Sequence, residues 1–86
     1  MRLIFDESKR RSNIAKHGLD FGRIEEEFFL TSVVVSTKAG RYMAIGDFEG
    51  GIIVAVVFAP LGTEAVSIIS MRPASRKERR IYAQSA

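Results

Sequence analysis

The side chains best suited to chemistry are concentrated in the segment Val66–Tyr82, which reads VSIISMRPASRKERRIY. Its cations are Arg72, Arg76, Lys77, Arg79 and Arg80. Arginine suits a phosphate group because its planar guanidinium can meet two oxygen atoms at once. The segment therefore predicts a phosphate-binding site, and the simpler alternative is a basic helix that only faces solvent.

The order of residue types in this segment predicts a strand, a short connection and then a helix. The apolar run up to Met71 is rich in β-branched residues, as buried strands are. Pro73 interrupts the strand pattern because proline has no backbone N–H. Ser75 and Glu78 then form the Ser-x-x-Glu pattern of a capping box, in which each side chain binds the backbone amide of the other residue. The start of such a helix favours an anion beside Arg72.

Charge is distributed unevenly along the 86 residues, which we predict to form one domain spanning residues 1–86. Residues 1–18 hold five basic and two acidic side chains. Residues 19–70 hold three basic and seven acidic side chains, and residues 71–86 hold five basic side chains and one acidic side chain. Both ends are therefore basic and the middle is acidic. If the ends meet in space, they form a positive patch that is typical of nucleic-acid-binding proteins.

Composition argues against several other classes of protein. The chain has no cysteine and one histidine, so we expect neither a disulfide nor a metal site, and this usage suits the cytoplasm. The longest apolar run, Ile52–Ala59, is far shorter than the roughly 20 residues that span a bilayer. We therefore expect no membrane partner.

Local patterns predict an α+β fold. A strand at Arg2–Phe5 precedes a helix at Glu7–His17, and Asp20 can cap a second helix that runs to Leu30. Four further strands are predicted at Val33–Val35, Arg41–Phe48, Ile52–Ala59 and Ala65–Met71, with a turn at Pro60–Thr63. We expect these four to form an antiparallel meander with the wholly apolar Ile52–Ala59 at its centre, helices on one face, and a basic C-terminal helix.

Three sequence blocks resemble the BrnT toxin family of bacterial type II toxin–antitoxin systems. The first is FDESKRRSNIAKHGLDF near the N-terminus, and the second is the pattern Arg41-Tyr42-x-Ala44-Ile45-Gly46. The third is Ile69-Ser70-x-Arg72-x-Ala74-Ser75-x-x-Glu78-Arg79-x-x-Tyr82. Together they cover nearly the whole chain, in the order and spacing of the family.

The resemblance implies a RelE-like fold and a metal-independent endoribonuclease that arrests translation. It also implies a BrnA-type DNA-binding antitoxin that neutralises the toxin, so that operator DNA is contacted only through the complex. Two positions depart from the family pattern: Phe5 stands where tryptophan is frequent, and Ala59-Pro60-Leu61 stands where an arginine is frequent. Because of the second departure, a non-catalytic module that binds nucleic acid and antitoxin as a co-repressor remains an alternative.

Cleaving RNA without a metal requires a group that takes the 2′-OH proton, a group that protonates the leaving oxygen, and cations that stabilise the phosphorane charge. Arg72 and Arg76 are the candidates for the charge, followed by Arg79, with Arg80, Lys77 and Arg41 as further phosphate contacts. Phe5 can stack on a base.

The proton-transfer role has several candidates. Histidine exchanges protons most readily near neutral pH, which favours His17, with Lys16 as a proton donor or a phosphate contact. Glu78 could act as the base or only cap the helix, and Tyr82 could donate a proton, stack on a base or simply pack. His17 could also serve only as a cation at a helix C-terminus.

Overall fold

The computed structural model describes residues 1–85 as an α+β fold. Its strands are β1 (Arg2–Ile4), β2 (Val33–Ser36), β3 (Tyr42–Phe48), β4 (Ile52–Leu61) and β5 (Ala65–Pro73). Its α-helices are α1 (Glu7–His17), α2 (Glu26–Thr31) and α3 (Arg76–Ser85), and Phe21–Arg23 forms one turn of 3₁₀-helix. Within residues 1–85, no helix is long and apolar enough to cross a bilayer.

The strands form one mixed sheet in the order β1-β5-β4-β3-β2. The pairs β2–β3, β3–β4 and β4–β5 are antiparallel, whereas β1 joins the far edge parallel to β5, with Arg2 opposite Ala65 and Ile4 opposite Ser67. The apolar strand β4 lies in the middle, as predicted. Because β1 pairs with only three residues of β5, the rest of that edge is left open to α1.

One face of the sheet carries the main core. Phe21, Ile24 and Phe28 pack there against alternate strand residues and are all buried. The strand residues concerned are Ala44, Phe48, Val54, Val56, Phe58, Val66, Ile68 and Met71. Gly46 lies under this layer, where a Cβ atom would come within 3.0 Å of Cε1 of Phe28.

The other face is covered by α3, so the prediction that the helices cover one face is wrong. Ala55 alternates with the core residues Val54 and Val56 and is nevertheless fully buried. Helix α3 contacts β2 and β3, and its Glu78 binds Arg72, the β5 partner of Ala55. A strand that is buried on both faces needs a layer on each side, and the apolar run could not show which helix supplies each layer.

The predicted second helix is broken in two. Asp20 does cap a helical turn, since its Oδ1 accepts from the amide of Gly22 at 2.8 Å. The chain then becomes extended at Ile24 and Glu25 before α2 begins. Phe21, Ile24 and Phe28 all reach the core on either side of this break. Gly22 would have destabilised a continuous helix at this point.

The predicted turn at Pro60–Thr63 starts later in the structure, at Gly62, because β4 continues through Leu61. Pro60 pairs with Val66 of β5, while the pairing of β3 with β4 ends at Phe58. Proline lacks a backbone donor, and it is tolerated here because β4 has no β3 neighbour beyond Phe58. Strand β5 likewise extends two residues beyond the predicted end at Met71.

Candidate active site

Helix α1 places Lys16 and His17 in its last turn. Asp6 caps the helix start, with Oδ1 accepting from the amides of Ser8 and Lys9 at 2.7 and 3.2 Å. Gly18 ends the helix in a left-handed conformation, with φ of 70°, and its amide donates to the carbonyl of Ile14. The predicted start and end of this helix are confirmed. Cations in a last turn are also favourable for the helix dipole.

Asn13 fixes α1 against the open edge of β5. Its Oδ1 accepts from the amide of Met71 at 3.1 Å, and its Nδ2 donates to the Met71 carbonyl at 2.8 Å. Nδ2 also donates to the carbonyl of Leu19. The side chain is 7% exposed and acts as the missing neighbour strand for Met71. Sequence reasoning missed Asn13, because its partner Met71 lies 58 positions away along the chain.

The groove between α1 and β5 brings the two basic ends of the chain together. Its volume is about 380 Å³, and the predicted residues Lys16, His17 and Arg72 all line it. The rest of the lining is Ser8, Lys9, Ser12, Asn13, Ile69 and Ser70. None of these lining residues carries a carboxylate, and Lys9, Lys16 and Arg72 supply positive charge.

Arg72, which lines this groove, forms an ion pair with Glu78. Both guanidinium Nη atoms donate to the carboxylate, at 2.7 and 2.8 Å, in a fork-to-fork arrangement. The hydrogen bond from Arg72 lowers the pKa of Glu78 from an ordinary 4.5 to about 2, against the opposing effect of burial. The same bond raises the pKa of the Arg72 guanidinium. The Arg72 side chain nevertheless stays 40% exposed.

The predicted capping box is present. The Ser75 amide donates to Oε1 of Glu78 at 2.8 Å, and the Glu78 amide donates to Oγ of Ser75 at 3.2 Å. A carboxylate that accepts from both Arg72 and Ser75 is a weak proton acceptor, because its pKa lies far below neutrality. The geometry therefore favours a structural role for Glu78, and its action as a general base stays a prediction.

The other predicted residues on α3 lie outside the groove lining. Arg79 donates from Nη1 to the carbonyl of Ala74 at 2.9 Å. Arg76, Lys77 and Arg80 are exposed, and Tyr82 is half-buried one turn after Glu78. The four cations Arg76, Lys77, Arg79 and Arg80 lie in the first half of α3 and extend the positive surface away from the groove.

A family model described as "Ribonuclease toxin, BrnT, of type II toxin-antitoxin system" matches residues 5–78. The chain belongs to the BrnT family. The crystal structure of the ribonuclease toxin BrnT of Brucella abortus superposes with a TM-score of 0.83 and 60% sequence identity. The match covers 88% of this chain and 99% of the Brucella chain. No curated protein sequence matches the chain.

Because the chain belongs to the BrnT family of ribonuclease toxins, its class of substrate is RNA and its partner is an antitoxin.

Two residues predicted to contact RNA lie away from the groove of this BrnT-family chain. Arg41 is exposed just before β3, with its amide donating to the carbonyl of Lys38. Phe5 is half-buried and packs edge-to-face on Phe21, with ring centroids 5.6 Å apart. Their contacts with RNA stay predictions.

Proposed function

We propose that this BrnT-family chain is an endoribonuclease that cleaves RNA without a metal ion. In the proposed step, the 2′-oxygen forms a bond to the adjacent phosphorus while the bond from phosphorus to the 5′-oxygen breaks. A base takes the 2′-OH proton, and an acid protonates the departing 5′-oxygen. The products are a 2′,3′-cyclic phosphate and a 5′-hydroxyl end.

The residues of the α1–β5 groove divide this work. His17 transfers a proton in this step, as the base or as the acid. Lys16, the residue before it at the same end of α1, either transfers the other proton or supplies a positive charge to the phosphate. Arg72 stabilises the negative charge that develops on the non-bridging oxygens. Arg76 and Arg79 extend this stabilisation from the start of α3, and Tyr82 offers a hydroxyl or a stacking surface there.

The observation that carries the proposal is the meeting of Lys16, His17 and Arg72 in one groove. These residues come from opposite ends of the chain, and the lining of the groove contains no carboxylate. The lining residues thus offer no carboxylate of their own to a Mg²⁺ ion, which is usually bound through one or two carboxylates, and Glu78 is already engaged by Arg72. The groove suits a phosphodiester that is activated by cations and a proton-transfer group.

The remaining phosphate contacts are proposed at the rim. Arg80, Lys77 and Arg41 hold phosphates on either side of the scissile one, and Phe5 stacks on a base when the RNA is bound. A BrnA-type antitoxin covers this positive surface in the cytoplasm, and operator DNA is reached only through that complex. We also propose that the fold of this chain is RelE-like.

The test is cleavage of RNA by the purified chain in the presence of EDTA. We expect cleavage with 2′,3′-cyclic phosphate ends, and we expect Arg72→Ala and His17→Ala each to lower kcat/KM by about 100-fold or more. Arg23→Ala is the matched control, since Arg23 pairs with Glu49 outside the α1–β5 groove and its loss should leave activity unchanged. Cleavage that requires added Mg²⁺ would refute the metal-independent step.

The ion pair between Arg72 and Glu78 favours one alternative. Because Glu78 already engages both Nη atoms of Arg72, the chain could bind phosphate and antitoxin as a co-repressor without cutting RNA. This alternative predicts salt-dependent binding of RNA and no scission. A growth assay with and without co-expression of the antitoxin separates the nuclease from the co-repressor, because only an active nuclease arrests growth.

A further inference from the structure

The α1–β5 groove continues past the residues assigned to the reaction. Lys9 lines it about two helical turns before Lys16 and is not used in the proposed step. Lys9, Ser12 and Lys16 share one face of α1, because residues three and four positions apart are neighbours on a helix. This end of the groove also presents the side chains of Ser8 and Ser12.

The cations of α1 that line the groove differ from the others in their ion pairing. Arg10 pairs with Glu7 and Asp20, and Arg11 pairs with Glu7, so acidic groups partly neutralise both. Among residues 1–85, Lys9 and Lys16 make no ion pair. The lysines that face the groove are thus the cations of α1 that an external anion can bind without displacing a carboxylate.

The separation of the two lysines indicates more than one phosphate group. Seven residues at 1.5 Å per residue place Lys9 about 10 Å from Lys16 along the helix axis. Hydrogen bonds from ammonium groups to phosphate oxygens are about 2.7–2.9 Å long. Lys9 and Lys16, which both line the groove, therefore suit different phosphate groups of one strand.

We propose that the Lys9 end of the groove binds a second phosphate group of the RNA, away from the phosphate that is cut. The inference rests on the proposed function and adds a substrate-binding residue to it. Lys9 supplies the charge, and Ser12 supplies a neutral donor for a phosphate or ribose oxygen. The preferred substrate is accordingly an RNA strand longer than a dinucleotide.

The first experiment measures binding without cleavage. A short, labelled RNA with 2′-O-methyl groups lacks the attacking hydroxyl and reports affinity alone. We expect Lys9→Ala to raise Kd by about fivefold at low salt and to lower the slope of log K against log salt concentration by about 0.7. Arg11→Ala is the matched control, since it removes the same charge two positions away on the same helix, from a residue outside the groove lining.

The second experiment compares cleavage of a dinucleotide with that of a longer RNA. For the longer RNA, Lys9→Ala should raise KM and leave kcat unchanged. For the dinucleotide, both constants should equal those of the wild type, because this substrate does not reach Lys9. A merely structural role for Lys9 would change both substrates alike and would overturn the inference.

The outcomes for the two proposals can be told apart. Equal Kd values and equal salt slopes for Lys9→Ala and Arg11→Ala would refute the phosphate site while leaving the nuclease intact. A wild-type chain that cuts no RNA would refute the proposed function, and the binding experiment would then still decide the role of Lys9.

Discussion

The ion pair between Glu78 and Arg72 makes stability depend on pH in a specific way. We consider the substitution Glu78→Gln, which keeps the size of the side chain and an oxygen that can accept from the amide of Ser75. It removes the negative charge that Arg72 binds at 2.7 and 2.8 Å. The variant should therefore report the charge interaction more than the helix cap.

The size of the effect follows from the lowered pKa. A fall from 4.5 to about 2 corresponds to about 3 kcal/mol at 1.36 kcal/mol for each pH unit. The Arg72 side chain is 40% exposed, so solvent screening reduces this to about 1–2 kcal/mol. For a domain of this size, that loss should lower Tm by about 4–16 °C.

The sign of the pH dependence is fixed by the direction of the shift. The folded pKa of Glu78 is depressed, so the stabilisation is fully present above the unfolded value of 4.5. It is lost as the pH falls towards the folded value of about 2, because both states then bind the proton. The difference between wild type and Glu78→Gln should thus be largest at pH 7 and should shrink between pH 5 and pH 2.

Urea unfolding followed by circular dichroism measures this difference across the pH range. Glu64→Gln is the control, since Glu64 is exposed in the turn between β4 and β5. Its loss should change the free energy of unfolding little at any pH. A wild-type advantage over Glu78→Gln that stays constant from pH 7 to pH 2 would show that packing, rather than charge, is responsible.

Three further substitutions test the positions of the site residues. Asn13→Ala should lower the free energy of unfolding by about 2–4 kcal/mol in urea titrations, because it leaves the buried amide and carbonyl of Met71 without a partner; a loss below about 0.5 kcal/mol would contradict that role. Gly46→Ala should cost about 1–3 kcal/mol, seen as a lower Tm, because its Cβ would lie 3.0 Å from the ring of Phe28. Ser75→Ala should cost about 1 kcal/mol in the same assay, and Ser85→Ala, at the exposed helix end, should cost close to nothing.

Local patterns in the sequence predicted the elements that depend on neighbouring residues. The capping box of Ser75 and Glu78 and the ends of α1 at Asp6 and Gly18 were found where expected, since each involves groups within four positions. The central place of β4 followed from its continuous apolar composition. These features need no knowledge of the rest of the chain.

Features that depend on distant residues could not be predicted in the same way. The contact between Asn13 and Met71 spans 58 positions, and nothing near Asn13 distinguishes it from an exposed helix residue. The pairing of Arg72 with Glu78 depends on which face of the sheet α3 covers. The break at Ile24 is likewise decided by the core, which overrides the helical composition of the segment.

The two sides of the α1–β5 groove come from distant parts of the chain, and this determines when the groove can form during synthesis. Synthesis proceeds from the N-terminus, so Lys16 and His17 leave the ribosome long before β5 exists. Arg72 lies 55 positions after His17 along the chain, and it is therefore made much later. A nascent chain thus carries only the α1 side of the groove until β5 has been made.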